Sequence, residues 1–215
     1  MKIRNDAPRL RGRPRAFDRG AALAQATRLF WEKGYEATSI SDLAQAMGIG
    51  SPSLYAAFGS KAGLYTEALR HYAEANEHFV WARFQAAVTA RDAVAAYLMD
   101  SAAALTGGVE KAPRGCMITL SAVGSEGHAE LGEIVRSARG VTLERLETRF
   151  SQAVADGEIA ASADPQALAR FVQSVQAGMS ILARDGATQS ELETVAEIAM
   201  CGWDARTQSK AQKDG

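Results

Sequence analysis

Residues 38–61 read TSISDLAQAMGIGSPSLYAAFGSK, and this stretch decides the fold of the chain. Ser39 can cap a first short helix, and Asp42, three residues later, can complete a reciprocal cap at the positive end of that helix. Ala44 lets a second helix cross closely over the first, and Gly48 can adopt the positive φ that a three-residue turn requires. The stretch therefore predicts a helix-turn-helix, two short helices joined by a tight turn.

The second helix of this motif has one apolar side and one side left for a partner. Ile49 and Leu54 point into the small core that the first helix begins. The opposite side is free to enter a major groove of DNA. It carries Ser51, Pro52, Ser53, Tyr55 and Ala56. A mere corner between two helices of an all-α protein would share part of this pattern, but the turn, the Leu-Tyr pair and the Phe58–Lys61 run occur together and favour DNA binding.

Between Phe17 and Leu69 the chain resembles the tetracycline-repressor (TetR) family of bacterial transcriptional regulators. The resemblance implies an all-α fold, with an N-terminal three-helix helix-turn-helix domain and a larger helical domain for effector binding and dimerisation. The corresponding division is a basic arm over residues 1–17, the helix-turn-helix domain over 18–65, the effector and dimerisation domain over 66–206, and a disordered tail over 207–215.

The same resemblance implies the contacts with DNA. Phosphates would be contacted by Thr38, Ser39, Tyr55 and Lys61, and bases would lie nearest to Ser51, Pro52, Ser53 and Ala56. The sequence departs from the family pattern at Gly50, where serine is usual, at Ser51, where lysine is frequent, and at Ala56 and Ala57, where histidine or tyrosine is usual. Because few strong donors remain on this helix, we expect base discrimination to depend on the arm and on DNA shape.

The overall charge of −1 hides an asymmetry between the two ends of the chain. Residues 1–72 hold 11 Lys and Arg against 6 Asp and Glu, whereas the remainder holds 13 against 19. Arg11, Arg13 and Arg15, in a run that Pro14 keeps extended, can lie along a minor groove next to the reading helix. For the residues before this run, a solvated tail is an equal alternative.

The composition is that of a globular chain. Its 215 residues are enough for one large or two modest domains. The proportions of 47% apolar and 23% charged residues are ordinary for such a chain. No apolar run has the length of a membrane span, and the charged N-terminus is not followed by the apolar core of a signal peptide. Two cysteines, Cys116 and Cys201, do not imply a disulfide framework, so we expect the protein to reside in the reducing cytoplasm.

Helical periodicity continues through the rest of the chain without strand-like alternation. Asp18 is predicted to cap a first helix that ends near Lys33 at Gly34. Ser60 is predicted to cap a long helix that links the helix-turn-helix domain, called the head below, to the larger helical domain, called the body. The body helices are predicted near 60–85, 91–106, 114–123, 126–156, 164–184 and 188–205. The loop from Thr106 to Gly115 could gate a cavity.

The last two predicted helices are apolar on broad faces that a thin helical hairpin cannot cover alone. By resemblance to the family, they would form a four-helix bundle with a second copy, and the twofold axis would match a palindromic operator. Burial of these faces within one subunit is the alternative. The interface residues predicted are Val175, Gly178, Leu182, Val195, Ile198 and Trp203.

A second set of side chains is a candidate lining for an effector cavity between the middle helices, with an apolar wall and a few polar groups. Each member alone is also compatible with core packing, and we expect roughly half of them to contact a ligand. The set is Trp81, Phe84, Tyr97, Cys116, Met117, Leu120, Phe150, Phe171, Gln176 and Met179.

Cys116 has two interpretations. It follows the loop near Lys111 and Arg114, where positive charge could favour a thiolate that senses electrophiles or oxidants, or it is a small buried core residue. A metal site is not expected, because His71 and His78 are seven residues apart and His128 stands alone. No cofactor motif is present either.

The sequence is compatible with two alternative functions of different classes. The first is a homodimeric, ligand-responsive transcriptional repressor released from a palindromic operator by a small apolar or amphipathic effector. The alternative is an architectural DNA-binding protein without an effector, in which the basic arm does most of the binding. An enzyme is not expected, because GxSxG, P-loop, HExxH and GxGxxG motifs are all absent from the sequence.

Overall fold

A computed structural model describes residues 18–107 and 112–207, and within these ranges it contains nine helices and no strand. The all-α prediction is thus confirmed for the part of the chain described. The helices are α1 Arg19–Lys33, α2 Ile40–Met47, α3 Ser51–Phe58, α4 Lys61–Ala86, α5 Ala90–Leu105, α6 Met117–Leu120, α7 Ala129–Ala155, α8 Pro165–Arg184 and α9 Gln189–Thr207.

Polar caps at the helix starts explain most of these boundaries. Asp18 accepts a hydrogen bond from the Ala21 amide at 3.0 Å, and Ser60 accepts one from the Gly63 amide at 3.0 Å. These contacts satisfy amide groups that have no partner inside the helix. Gly34 ends α1 with its amide bonded to the Phe30 carbonyl. Both N-caps and the stop at Gly34 match the prediction from sequence.

One predicted helix is wrong. The range 114–123 is helical only over the single turn of α6. Gly115 has a φ of +77°, which right-handed helix does not accommodate, and the chain turns extended again at Ser121. The Cys116 sulfur caps the short turn by accepting a hydrogen bond from the Thr119 amide. The segment is therefore an irregular connection that runs between the head and the body.

The apolar side chains form two cores that share α4. The first core joins α1, α2, α3 and the N-terminal half of α4, and it includes the buried Leu43, Leu54 and Leu64. The second joins the C-terminal half of α4 to α5, α7, α8 and α9, and it includes Trp81 and Phe84. A single helix thus belongs to the reading head and to the body.

The first core does not consist of the head alone. Val123, together with Leu131 and Val135 of α7, packs in the same cluster as the residues of α1 to α4. The head is therefore seated on the body over a broad apolar contact, and the division between residues 65 and 66 stays a prediction. Over residues 18–107 and 112–207, none of the helices is both long and apolar enough to span a membrane.

Candidate DNA-reading face and effector cavity

The turn between α2 and α3 has the geometry that its residues predict. Ser39 Oγ accepts from the Asp42 amide at 3.0 Å, and the Asp42 carboxylate accepts from the Ser39 amide at 3.1 Å. The hydrogen bond from the Ser39 backbone is the main reason why the pKa of Asp42 is lowered. Gly48 then adopts the left-handed conformation, with a φ of +65°. The reciprocal cap thus sets where α2 begins, and the turn at Gly48 sets the direction in which α3 leaves α2.

Helix α3 presents a polar side to solvent. Leu54 and Phe58 are buried beneath it, whereas Pro52, Ser53, Tyr55 and Ala56 are exposed and Ser51 is half-buried. Tyr55 is 48% exposed, a large fraction for an aromatic side chain. At its start the helix has Gly50, which offers no side-chain cap. The exposed side thus carries small side chains apart from Tyr55, and it offers few strong hydrogen-bond donors.

Thr38 does not fit its predicted role. The residue has no exposed surface, and its hydroxyl donates to the Gly34 carbonyl at 2.6 Å. A hydroxyl that is buried and already bonded to the backbone cannot reach a phosphate, so Thr38 instead holds the turn between α1 and α2. Ser39, its neighbour, is exposed.

Lys61 lies at the N-terminus of α4. Its Nζ lies over the Tyr35 ring, 4.2 Å from the ring centroid, which is a cation–π contact. Tyr35 itself contacts the His128 ring, and the His128 imidazole is hydrogen-bonded to Glu36. This hydrogen bond is the first cause of the lowered pKa of Glu36. Arg11, Arg13 and Arg15 lie outside the described residues.

Sequence reasoning missed the residue that ties α1 to the other head helices. The Arg19 guanidinium pairs with Glu67 at 2.8 Å and lies over the Phe58 ring, 4.4 Å from its centroid. It also donates to the Ala57 carbonyl at 3.4 Å. Arg19 thereby joins α1 to the end of α3 and to α4. In the sequence it is only one more arginine next to a basic run, so no local signal marks it.

A cavity of about 530 Å³ lies in the body, between α4, α5, α6, α7 and α8. Four predicted residues line it, which are Trp81, Tyr97, Cys116 and Gln176. The wall is largely apolar, with polar side chains at several points. Its size and composition are those of a small-molecule site.

Six predicted lining residues lie elsewhere. Phe84, Phe150 and Met179 are buried in the body core, where neighbouring helices cover them completely or nearly so. Met117 and Leu120 face a smaller hollow between α6 and the end of α1. Phe171 is partly exposed on the outer side of α8, next to Gly202 of α9. The structure thus does not place these six residues in the cavity wall as predicted. The common reason is that helical periodicity identifies the apolar face of a helix but does not show which other element covers that face.

The cavity also contains charged groups that the sequence did not predict. Arg145 pairs with Glu77 at 2.8 Å, and its guanidinium lies over the Trp81 ring, 4.4 Å from the centroid. Arg139 donates to the carbonyls of Ile118, Thr119 and Ser121. Both guanidinium groups therefore already have acceptors in the protein. Neutral polar groups make up most of the remaining polar lining: Tyr72, Asn76, Ser101, Thr142, Gln173 and Ser174.

Tyr72 and Tyr97 are the two tyrosines of this wall. Burial is the main cause of a pKa well above the ordinary tyrosine value at Tyr72, and it also raises the pKa of Tyr97. Both hydroxyls thus stay protonated throughout the physiological pH range. They are neutral hydrogen-bond donors within the cavity wall.

Comparison with known proteins identifies the family to which this architecture belongs. Residues 22–68 match the family model described as bacterial regulatory proteins, tetR family. The HTH-type transcriptional repressor ComR of Escherichia coli strain K12 is 36% identical over 196 residues, which are 90% of this chain and 92% of ComR. This chain belongs to the TetR family.

Solved structures agree with this assignment. A TetR-family regulator, CifR, was solved with three substituted cysteines and a 26-base-pair operator DNA; it is 38% identical, has a TM-score of 0.83, and the match covers 89% of this chain and all of that one. A regulator from Chloroflexus aurantiacus is 26% identical with a TM-score of 0.75, over 86% of this chain and 93% of that one. The prediction of a DNA-binding transcriptional repressor that is not an enzyme is thus confirmed.

In this TetR-family chain the outer faces of α8 and α9 carry exposed apolar side chains. Leu182 is 44% exposed, Ile198 is 67% exposed, and a Cβ added at Gly178 would meet open space. Val175 and Val195 are half-buried at the edge of the core. Trp203 was predicted on this face and is not there: it is buried in its own subunit, with its ring 4.8 Å from that of Phe150.

Proposed function

We propose that this TetR-family protein is a homodimeric, cytoplasmic repressor that leaves a palindromic operator when a small apolar or amphipathic molecule occupies the cavity. One observation carries the proposal. Helix α4 contributes Leu64 and Tyr65 to the core of the reading head, and Tyr72 and Trp81 to the cavity wall. A ligand that shifts the second half of α4 therefore acts on the same rigid element that holds the head.

A second connection between cavity and head supports the proposal. The Trp31 indole, at the end of α1, donates to the Gly115 carbonyl at 2.8 Å. Arg184, at the end of α8, donates to the carbonyls of Arg114 at 2.8 Å and Trp31 at 3.0 Å. Cys116, which follows Gly115 in the chain, lines the cavity. The connection before α6 thus joins the cavity wall to the head by hydrogen bonds.

The effector must bind the two conformations differently, because a ligand with equal affinity for both shifts neither. A coupling free energy of about 1 to 3 kcal/mol would weaken operator binding roughly 5- to 150-fold. This is the range in which we expect an effector to act.

On DNA, α3 would enter the major groove, and the two heads would read half-sites about 34 Å apart, one helical turn. Ser39, Tyr55 and Lys61 would contact phosphates, whereas Ser51, Pro52, Ser53 and Ala56 would lie nearest to bases. The Ala56 methyl group can pack on a thymine methyl group. The arm with Arg11, Arg13 and Arg15 would follow the adjacent minor groove.

Replacement of Lys61 by alanine should weaken binding to all DNA sequences about equally. Loss of one phosphate contact should reduce the slope of log affinity against log salt concentration by about one unit. The measurement is fluorescence anisotropy of labelled operator and non-operator duplexes over a salt series. Arg83→Ala is the matched control, since Arg83 lies on the same helix about 33 Å from Lys61 and carries the same charge. An unchanged slope for Lys61→Ala would remove this residue from the phosphate contacts.

The experiment that tests the proposed function has two stages. Selection from a pool of random DNA duplexes should yield a palindrome with two half-sites one helical turn apart. Binding to that palindrome should then weaken when small hydrophobic compounds are titrated. If selected sequences have no symmetry, if the protein bends DNA, and if no compound changes its affinity, the architectural alternative replaces the repressor.

A further inference from the structure

Cys116 is placed where a ligand in the cavity can reach it. Cys116 lines the cavity and is half-buried, and it also packs against both apolar cores. The backbone around it is held firmly: the Cys116 amide donates to Ser180 Oγ at 2.8 Å, and the sulfur accepts from the Thr119 amide. The thiol thus has a defined position in the wall.

Ser101, on α5, points independently to a ligand. It lines the same cavity and is 1% exposed, and its hydroxyl has no hydrogen-bond partner among the described residues. A buried hydroxyl without a partner carries an appreciable desolvation penalty, so such groups are uncommon unless something binds them. A carbonyl oxygen of a bound molecule would accept a hydrogen bond from this hydroxyl.

The charges of the cavity favour an uncharged molecule. The Arg139 guanidinium is engaged by backbone carbonyls, and Arg145 is paired with Glu77. An anion would gain little from cations that already have acceptors. The Tyr72 hydroxyl, by contrast, is a neutral donor, and Tyr72 lines the same cavity as Cys116. Thiol, phenol and free serine hydroxyl therefore line one cavity.

We propose that Cys116 is a covalent sensing site for neutral α,β-unsaturated carbonyl compounds. The inference rests on the proposed function, since it specifies the effector of the same cavity. The carbonyl oxygen accepts a hydrogen bond from Ser101, which polarises the adjacent carbon–carbon double bond. A bond forms between Sγ and the β-carbon, and the π electrons move towards the carbonyl as an enolate. The thiol proton passes through the Tyr72 hydroxyl to the α-carbon. Nothing is oxidised or reduced, and no group leaves.

The adduct acts on the head through the neighbouring residue. Gly115 donates its amide to the Leu105 carbonyl and accepts from the Trp31 indole, each at 2.8 Å. Gly115 is tightly packed against α8, because a Cβ there would lie 2.7 Å from the Ser180 carbonyl oxygen, so a shift of Cys116 caused by the adduct would be passed to this backbone. Modification would thereby disturb the hydrogen bond that holds the end of α1.

The test uses benzylideneacetone, an uncharged enone, and benzylacetone, which lacks only the conjugated double bond. Intact-protein mass and peptide mapping should find one enone adduct, on Cys116, and operator affinity should fall at least about tenfold, within the range of ordinary allosteric coupling. Cys116→Ser should acquire no adduct at this position and keep its affinity. Serine still offers an oxygen to the Thr119 amide as an N-cap, so this variant should fold. Cys201→Ser, which removes an exposed thiol of α9, should behave as the wild type.

Tyr72→Phe separates the proton relay from mere access to the thiol. The variant keeps the ring that packs against Trp31 at 4.8 Å and removes only the hydroxyl. Its adduct should form about a hundredfold more slowly, the lower end of what a positioned proton-transfer group contributes. Non-covalent binding of benzylacetone, measured by competition, should be little changed. An equal rate of adduct formation would remove Tyr72 from the reaction.

Several outcomes would overturn the covalent site. Adduct formation at Cys201 before Cys116 would do so, as would complete modification of Cys116 with unchanged operator affinity. If benzylacetone releases DNA equally from the wild type and Cys116→Ser, the effector response stands and the covalent site is refuted. If only hydrogen peroxide acts through Cys116, the site senses oxidants instead. The mass measurement needs no DNA, so the selectivity for Cys116 is decided even if the proposed function fails.

Discussion

A glutamate in place of Leu182 is expected to convert the dimer into monomers and to lower operator affinity by roughly a hundredfold or more. Leu182, Ile181 and Ile198 are exposed on the outer faces of α8 and α9, although these helices are otherwise well packed on the body core. In a twofold bundle, each subunit would bury a glutamate against its own symmetry copy. An uncompensated buried charge costs about 3 to 5 kcal/mol, and about 1.4 kcal/mol corresponds to a factor of ten in affinity.

The loss should come from dimerisation and leave the fold intact. Since Leu182 is not part of the core of its own subunit, the monomer should keep its helical content in circular dichroism. Sedimentation measures the dimer fraction, and anisotropy compares the full palindrome with a single half-site, for which affinity should change little. Val88→Glu is the matched control, because Val88 is 87% exposed in the connection between α4 and α5. A Leu182→Glu protein that stays dimeric and binds the palindrome normally would place the interface on another surface.

Replacement of Gly115 by alanine is expected to destabilise the protein by about 3 kcal/mol or more. The residue has a φ of +77°, which costs roughly 1 to 2 kcal/mol for a residue with a side chain. The added Cβ would also lie 2.5 Å from Leu120 Cδ1 and 2.7 Å from the Ser180 carbonyl oxygen. The second of these atoms belongs to the backbone of α8 and cannot turn aside. Overpacking of this kind typically costs a further 1 to 3 kcal/mol or so.

Gly157→Ala separates the two contributions. Gly157 has nearly the same φ, +78°, but nothing lies within 4 Å of its added Cβ. Alanine at this position should therefore cost only the backbone term, about 1 to 2 kcal/mol. Thermal unfolding at fixed protein concentration compares the two variants, and a loss of about 3 kcal/mol corresponds to a fall in Tm of roughly 6 to 12 °C. Equal destabilisation of both variants would mean that the connection before α6 is not tightly packed between α6 and α8.

The parts of the structure that were predicted correctly depend on contacts between residues close in the chain. The cap formed by Ser39 and Asp42, the turn at Gly48 and the cap at Asp18 each join residues at most a few positions apart. Helix periodicity likewise placed α4, α5, α7, α8 and α9 within a few residues of their observed ends. The helix predicted over 114–123 overlapped the loop predicted to end at Gly115, and long-range contacts with α5, α8 and Trp31 hold that glycine in a turn.

The sequence by itself thus determined that this protein is helical and carries a helix-turn-helix, because caps, turns and amphipathic repeats are local and each residue type acts on its own neighbours. Only the tertiary structure decided which apolar face meets which. In this structure Trp203 is buried against Phe150, and Phe171 is partly exposed on the outer side of α8. Thr38 is buried, and a cavity lies beside Cys116. The physical reason is that an apolar side chain is stabilised by burial as such, whichever surface supplies the burial. Its partner is therefore set by how the helices pack, which periodicity does not encode.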